Sequence, residues 1–377
     1  MIKRLLKDIL FQIRKSLYQK YRINRDFSYK VLKNRKHDIF CGYYDITPFS
    51  KSDRYLLYNK KINNYVEIIC YDLVLEKEIS FGKSLAWSTQ MGARIFWLNK
   101  SKVVGFNVVE KKRQIFVLKD FKTNKIKKKI DYPIFDINRK NTMGLSLDFN
   151  QLEKVRPGYG FFGKNFFKDS IVIIDIKKNS YKKILSITGV KDFLNLKKCE
   201  KSYFNHLSWS PCGRFFIFYF LWTTQNKKYN QVFFFNLKNK KISKISNNNE
   251  VISHFNWIDK NKLILTVKED IFRYKIFNIS NNSIQVLSGF PTNLDGHPSV
   301  NPKNKKKIVT DTYPNYLGNQ KLFIVNKDKK TLVGSFFLPK KYFGLNKSDL
   351  HPRWSNNGRC IAVDIAFSGK REIMVIK

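Results

Sequence analysis

The sequence predicts an all-β protein, a seven-bladed β-propeller preceded by a short basic amphipathic helix. Three observations carry that prediction. A core of apolar residue, turn and hydrophobic strand recurs seven times after residue 30 or so. Four of the five histidines fall in phase with it, at gaps of 48, 43 and 54 residues, the length of one propeller blade. Aromatic residues make up 15% of the 377 residues, 33 of them Phe and 19 Tyr, which supplies β-favouring bulk for a large core.

Residues 1–27 form the first unit. Ile2, Leu5, Leu6, Ile9, Leu10, Ile13 and Leu17 recur with helical spacing, while Lys3, Arg4, Lys7, Arg14, Lys15 and Lys20 occupy other faces. Charges interrupt the apolar stretch, so it lacks the hydrophobic centre of a signal peptide. Such a helix either lies in a membrane interface or packs its apolar stripe on its own domain, and the sequence leaves both open. Residues 28–377 form the propeller. Its repeated cores occupy 49–58, 87–97, 135–147 (a degenerate copy), 209–218, 257–265, 300–309 and 354–363. A third strand follows each, as at 171–175, 231–235 and 321–325. Units of this size cannot bury their faces alone and stabilise one another by radial stacking. A strand over 373–376 is the last element, and 29–32 is expected to pair outside it, closing the ring and removing a free edge.

The formal charge of +43 points first to nucleic acid. Lysine is spread along the whole chain, however, and gathers into no single arm, so nucleic acid is not the expected partner. An acidic polysaccharide satisfies the same charge. The five cysteines are odd in number, widely spaced and without a C-x-x-C pair, which argues against a thiolate zinc site and a disulfide framework. Reduced thiols and a cytoplasmic location are expected; a peripheral contact to the inner membrane through residues 1–25 is one of the two roles left open for the helix. No apolar run is long enough to span a bilayer. Neither a phosphate-binding G-x-x-x-x-G-K-[ST] nor a G-x-S-x-G serine turn occurs.

His206, His254 and His351 each precede a tryptophan by three residues (Trp209, Trp257, Trp354), and His297 stands in the same phase before Val300. A side chain repeated at one strand phase returns to the same radius and height around the propeller axis. Imidazoles gathered there suit metal binding and proton transfer; alternatively they hydrogen-bond between blades. The segment from Trp209 to Arg214, W-S-P-C-G-R before an apolar strand, resembles TolB-like propeller repeats. The histidine set resembles that of the oligogalacturonate lyases and, more loosely, other propeller-type polysaccharide lyases. In those enzymes inner-strand histidines bind a divalent metal and provide the base.

The resemblance implies that His206, after Asn205, is the proton-abstracting residue and that His254 and His297 are metal ligands. Asp295 stands where the lyase pattern has the first histidine of a His-Pro-His-Pro-Ser segment, and a carboxylate also ligates hard cations. His351 adds an imidazole beyond the pattern. The implied cofactor is a divalent ion, manganese or calcium. The implied reaction is β-elimination on an acidic polysaccharide or oligosaccharide: loss of the uronate C5 proton and expulsion of the C4 substituent. That chemistry needs a cation and a base a few ångströms apart.

Two further clusters are candidates. In 37–45, Tyr43, Tyr44 and Asp45 approach the phase of Asn205 and His206, placing Tyr44 as an acid and Tyr43, Asp45 and His37 as substrate contacts; His37 is about nine residues out of phase. In 149–160, a Gly/Pro-bounded excursion of blade 3, Arg156 is suited to a substrate carboxylate and Tyr159 to acid catalysis or stacking. Asp311, after the His297 strand, is a candidate orienter. The competing reading is a non-catalytic scaffold binding glycan or protein at the membrane surface, and a convergent polar site at the channel mouth separates the two.

Overall fold

The computed structural model describes residues 21–164, 166–245 and 250–377. The helix expected over 1–27 and its membrane contact fall mostly on residues 1–20, outside the described ones. Within the described part of that segment, Tyr21–Ile23 is a strand and not helical.

Seven antiparallel sheets form the seven blades. Their innermost strands are Ile39–Phe40, Phe96–Leu98, Asp136–Ile137, Lys201–Trp209, Val251–Trp257, Ser299–Val300 and Arg353–Trp354. The second strands are Tyr55–Ile62, Val103–Glu110, Met143–Ser146, Phe215–Thr224, Lys262–Lys268, Lys307–Asp311 and Ile361–Ile365. Tyr29–Leu32 pairs with Glu372–Ile376 as the outer strand of blade 7, the expected closure of the ring. Tyr21–Ile23 adds a fifth strand outside blade 6.

The turn motif has a local cause. In W-S-P-C-G-R the Ser210 hydroxyl accepts from the Phe215 N–H (3.1 Å), and Gly213 takes the left-handed conformation (φ 69°) that closes the turn. Ser355 with Gly358, and Ser50 with Asp53, repeat the device in blades 7 and 1. Three of the four in-phase tryptophans reach back one blade. Trp97 Nε1 donates to Pro48 O (2.8 Å), Trp257 Nε1 to Ser208 Oγ (3.1 Å) and Trp354 Nε1 to Ser299 O (3.0 Å). This corrects the repeat in blade 2. Its in-phase tryptophan is Trp97, while Trp87 lies in the connection between blades 1 and 2.

A second pattern stitches the seams. Three residues after the partner of the repeat tryptophan, the second strand carries a fully buried polar side chain in five blades: Asn59, Asn107, Thr266, Asp311 and Asp364. Each bonds the next blade. Asn59 Oδ1 accepts from Ala93 N (3.0 Å), Asn107 bonds both Ile134 N and O, Thr266 Oγ1 donates to Gly296 O (3.3 Å), and Asp311 and Asp364 accept from His351 N and Cys41 N. Blades 3 and 4 carry Leu147 and Tyr219 instead. At the seam between blades 3 and 4 Asp136 Oδ2 accepts from Trp209 N (2.7 Å); beside the seam between blades 4 and 5, Phe255 N is taken by the hydroxyl of Tyr44, which reaches across from blade 1 (3.0 Å).

The polar excursion of blade 3 folds as helix α1 (Phe149–Val155), capped by Asp148, whose carboxylate accepts from Asn150 N and Gln151 N. The loop after it returns Gly158 to the Gln90 N–H. All five cysteines are free thiols, Cys70 buried and the others partly so.

Candidate active site

Three of the positions preceding the repeat tryptophan by three residues share a backbone anomaly. Arg94, His206 and His351 adopt positive φ (53°, 50° and 45°), uncommon for residues with a Cβ. At His206 the strand register also slips between Asn205 and Ser208, and near His254 it slips between Ile252 and His254. These bulges turn the side chains out of the ladder and toward the axis.

His254, His297 and His351 are thereby packed ring against ring. Their centroids are 4.0 Å apart for His254 and His297 and 4.5 Å apart for His297 and His351. Each Nδ1 faces an oxygen: Asp295 Oδ1 for His254 (3.1 Å), Asp311 for His297 (2.9 Å) and the Gly42 carbonyl for His351 (3.1 Å). Carboxylate and carbonyl partners fix Nδ1 as the protonated nitrogen and leave Nε2 as a lone pair. Burial holds His297 and His351 well below the ordinary imidazole pKa, with the neighbouring histidines adding to it. Both are neutral at pH 7, the form that ligates metal.

The ligand atoms of His297, Asp349 and His351 lie within 4.8 Å of one another. Among the described residues, His351 Nε2 and both Asp349 oxygens find no hydrogen-bond partner although buried, and Lys347 Nζ approaches Asp349 Oδ2 at 2.9 Å outside hydrogen-bond geometry. Buried imidazole and carboxylate acceptors gathered within 4.8 Å, with no hydrogen bond of their own and only the Lys347 charge alongside, fit a divalent cation. Asp295 is engaged otherwise. It binds His254 Nδ1, Ser253 Oγ (2.5 Å) and the Gly296 N–H (2.8 Å), so it orients His254 instead of joining the His297–His351 group.

His206 stands beside this cluster. Tyr43 stacks on its ring (5.1 Å, 11°), with the hydroxyl 3.4 Å from Nε2, and also packs edge-on to His351. Burial and the Arg156 charge push the His206 pKa well down, so it is a neutral base. Asn205 Oδ1 accepts from the His206 N–H (2.9 Å) and holds the bulge. A cleft of about 560 Å³ opens outward from His206 and His254 along blades 4 and 5, with Arg156, Tyr203, Trp222 and Lys228 among its walls. The Arg156 guanidinium lies over the Tyr159 ring (4.4 Å) and donates to its hydroxyl (3.3 Å), while its Nε has no partner.

Not every candidate residue meets the cleft. Tyr44 packs among His254, His297 and His351 and bonds Phe255. Asp45 forms a two-pronged pair with the buried Arg94 (2.9 Å for each contact). His37 lies outside the cluster, its backbone N–H bonded to Asn34 Oδ1.

Four further residues belong to the site. Arg94 precedes Trp97 by three residues, as the histidines precede their tryptophans, a phase that a blade 2 repeat set on Trp87 conceals. Asp349 had a signal, since Asp-Leu-His-Pro at 349–352 repeats Asp-Gly-His-Pro at 295–298. Tyr219, with a buried unpartnered hydroxyl 4.9 Å edge-on to His206, and Tyr313, whose hydroxyl is 3.3 Å from His254 Nε2, carried none.

No protein-family profile matches the chain, and no curated protein matches it in sequence. Solved structures do match its fold. An oligogalacturonate lyase in complex with manganese superposes with a TM-score of 0.68 at 12% identity, over 95% of this chain and 97% of that one. The oligogalacturonate lyase of Vibrio parahaemolyticus does so at 0.64 and 11% identity, over 94% and 96%. The WD40 repeats of RRP9 follow at 0.54 and 9%, over 92% and 96%. The chain is thus a seven-bladed propeller resembling the oligogalacturonate lyases in fold.

Proposed function

We propose that this protein is a metal-assisted lyase that cleaves an acidic glycan by β-elimination. The observation that carries the reading is the cleft itself, in which a neutral imidazole, His206, and a guanidinium, Arg156, share walls beside a cluster of three further histidines. His297, Asp349 and His351 would hold the ion, and two imidazole donors favour a transition ion such as manganese over calcium. Such an ion, when bound, supplies positive charge for the uronate carboxylate and acidifies the adjacent C–H. Arg156 orients the same class of carboxylate by a two-pronged contact.

His206 takes the C5 proton; the C–H electron pair becomes the C4–C5 double bond, and the C4–O bond breaks. The departing oxygen takes a proton from a cleft hydroxyl, for which Tyr219, lining the cleft edge-on to His206 with its hydroxyl otherwise unbonded, is best disposed. Lys201, Lys228 and Trp222 extend a cationic and aromatic wall suited to further sugar units.

The test is ultraviolet absorbance of the conjugated double bond on incubation with polygalacturonate and other uronate glycans in the presence of manganese. Absorbance should appear with the wild type and vanish in His206→Ala. Glycan binding without any absorbance across the panel would overturn the lyase reading in favour of a binding scaffold.

A further inference from the structure

On the same end of the propeller, but at the rim where blades 7, 1 and 2 meet, lies a separate pocket of about 170 Å³. Lys61, Lys341 and Arg371 line it, with Trp87 and Tyr342. Its cations rest on aromatic faces. Lys61 Nζ lies 5.6 Å from the Trp87 ring centre, Lys341 Nζ 5.1 Å from Tyr342, and the Arg371 guanidinium 3.9 Å from Phe40. Arg371 is only 4% exposed, and its Nε has no hydrogen-bond partner among the described residues. Its Nη1 donates to Thr89 O (2.7 Å), and Asp364 lies 3.8 Å from Nη2.

Asp38 is the one carboxylate among the lining residues, and its Oδ1 is taken by the Arg371 N–H (3.0 Å) and the Tyr342 hydroxyl (2.9 Å). Three cations therefore converge on a space with one already engaged anion. Holding a guanidinium out of water with an unused donor is costly unless an acceptor arrives. The volume admits one small charged group, and the Trp87 face offers an apolar wall beside it.

We infer that this pocket is a binding site for a small oxyanion, a carboxylate, sulfate or phosphate group, either free or borne on an acidic sugar, distinct from the cleft at blades 4 and 5. The cations leave their aromatic faces to form charge-assisted hydrogen bonds to the oxyanion. Its position on the cleft's end of the propeller suits an acidic group carried by a glycan, but the site does not depend on the lyase reading.

Calorimetric titration with sulfate, at ionic strength fixed by chloride, tests it. Lys61→Ala/Lys341→Ala should weaken sulfate binding at least about tenfold, the loss expected from two charge-assisted contacts. Arg156→Ala, in the cleft, should leave it unchanged. Unchanged binding in the double variant, loss in Arg156→Ala alone, or no binding by the wild type would overturn the inference. D-galacturonate in a second arm separates the sources. Tighter binding than sulfate, weakened by Trp87→Ala, assigns a sugar-borne carboxylate; sulfate and galacturonate binding alike, with no effect of Trp87→Ala, assigns a free oxyanion.

Discussion

Five seams of the ring and the two that flank blade 4 are built differently. Between blades 7 and 1, the buried Asp364 accepts from Cys41 N and Arg353 Nη2, and Arg353 Nε and Nη2 also donate to the Tyr43 and Gly42 carbonyls. Around blade 4 the equivalent positions hold Leu147 and Tyr219, Trp209 Nε1 has no partner, and the cleft opens. The stitched seams are bridged by buried polar side chains that fix the histidine cluster, although Asp349 and His351 Nε2 inside that cluster keep unbonded acceptors. Around blade 4 those bridges are missing, and the cleft that opens there exposes polar groups that a substrate can bind.

The comparison can be broken by mutation. Arg353→Ala should have the largest effect, a loss of about 3–5 kcal/mol in urea unfolding, because it removes the guanidinium bonded to Asp364 and to the Tyr43 and Gly42 carbonyls and leaves that buried carboxylate with only the Cys41 N–H and the more distant Arg371. Asn107→Ala should cost about 2–3 kcal/mol by leaving Ile134 N and O unpaired. Tyr219→Phe, at the same strand position in blade 4, should change stability by no more than about 1 kcal/mol, since its hydroxyl satisfies nothing, while lowering any lyase turnover. Equal losses at Asn107 and Tyr219 would erase the distinction between the seams.

The blade 3–4 seam adds a pH test. Burial raises the Asp136 pKa to about 7, against an ordinary value of 3.8. The folded state thus holds this proton over the window in which the unfolded chain has lost it. Asp136 should cost the protein nothing below the unfolded value and progressively more as pH rises from about 4 to 7. Relative to Asp136→Asn, which keeps an acceptor for Trp209 N, the wild type should lose urea resistance across that window. Parallel pH profiles for the two proteins would contradict it.

How far the sequence could be read follows the same division. Blade number, the closing strand at Tyr29–Leu32 and the phase of four histidines were legible because they repeat, and repetition survives divergence of the intervening residues. Cross-seam partnership was not legible. Asp295 looked like a ligand beside His297, yet it serves His254 in the preceding blade; Asp349, two residues before His351, is the carboxylate that meets His297 and His351. Each aspartate acts one blade back, a relation set by blade packing and invisible along the chain. Tyr219 was unreadable for a related reason: its meaning lies in the polar residue that five other blades have and blade 4 lacks.

The proposed cation site at His297, Asp349 and His351, on the stitched side of the ring, can be seen or missed in an anomalous-scattering map of manganese-soaked crystals. One strong peak is expected at ligand distances of about 2.0–2.3 Å from His297 Nε2, His351 Nε2 and an Asp349 oxygen, lost in Asp349→Ala. No peak there in the wild type, or a peak coordinated by Asp295 in place of Asp349, would contradict it.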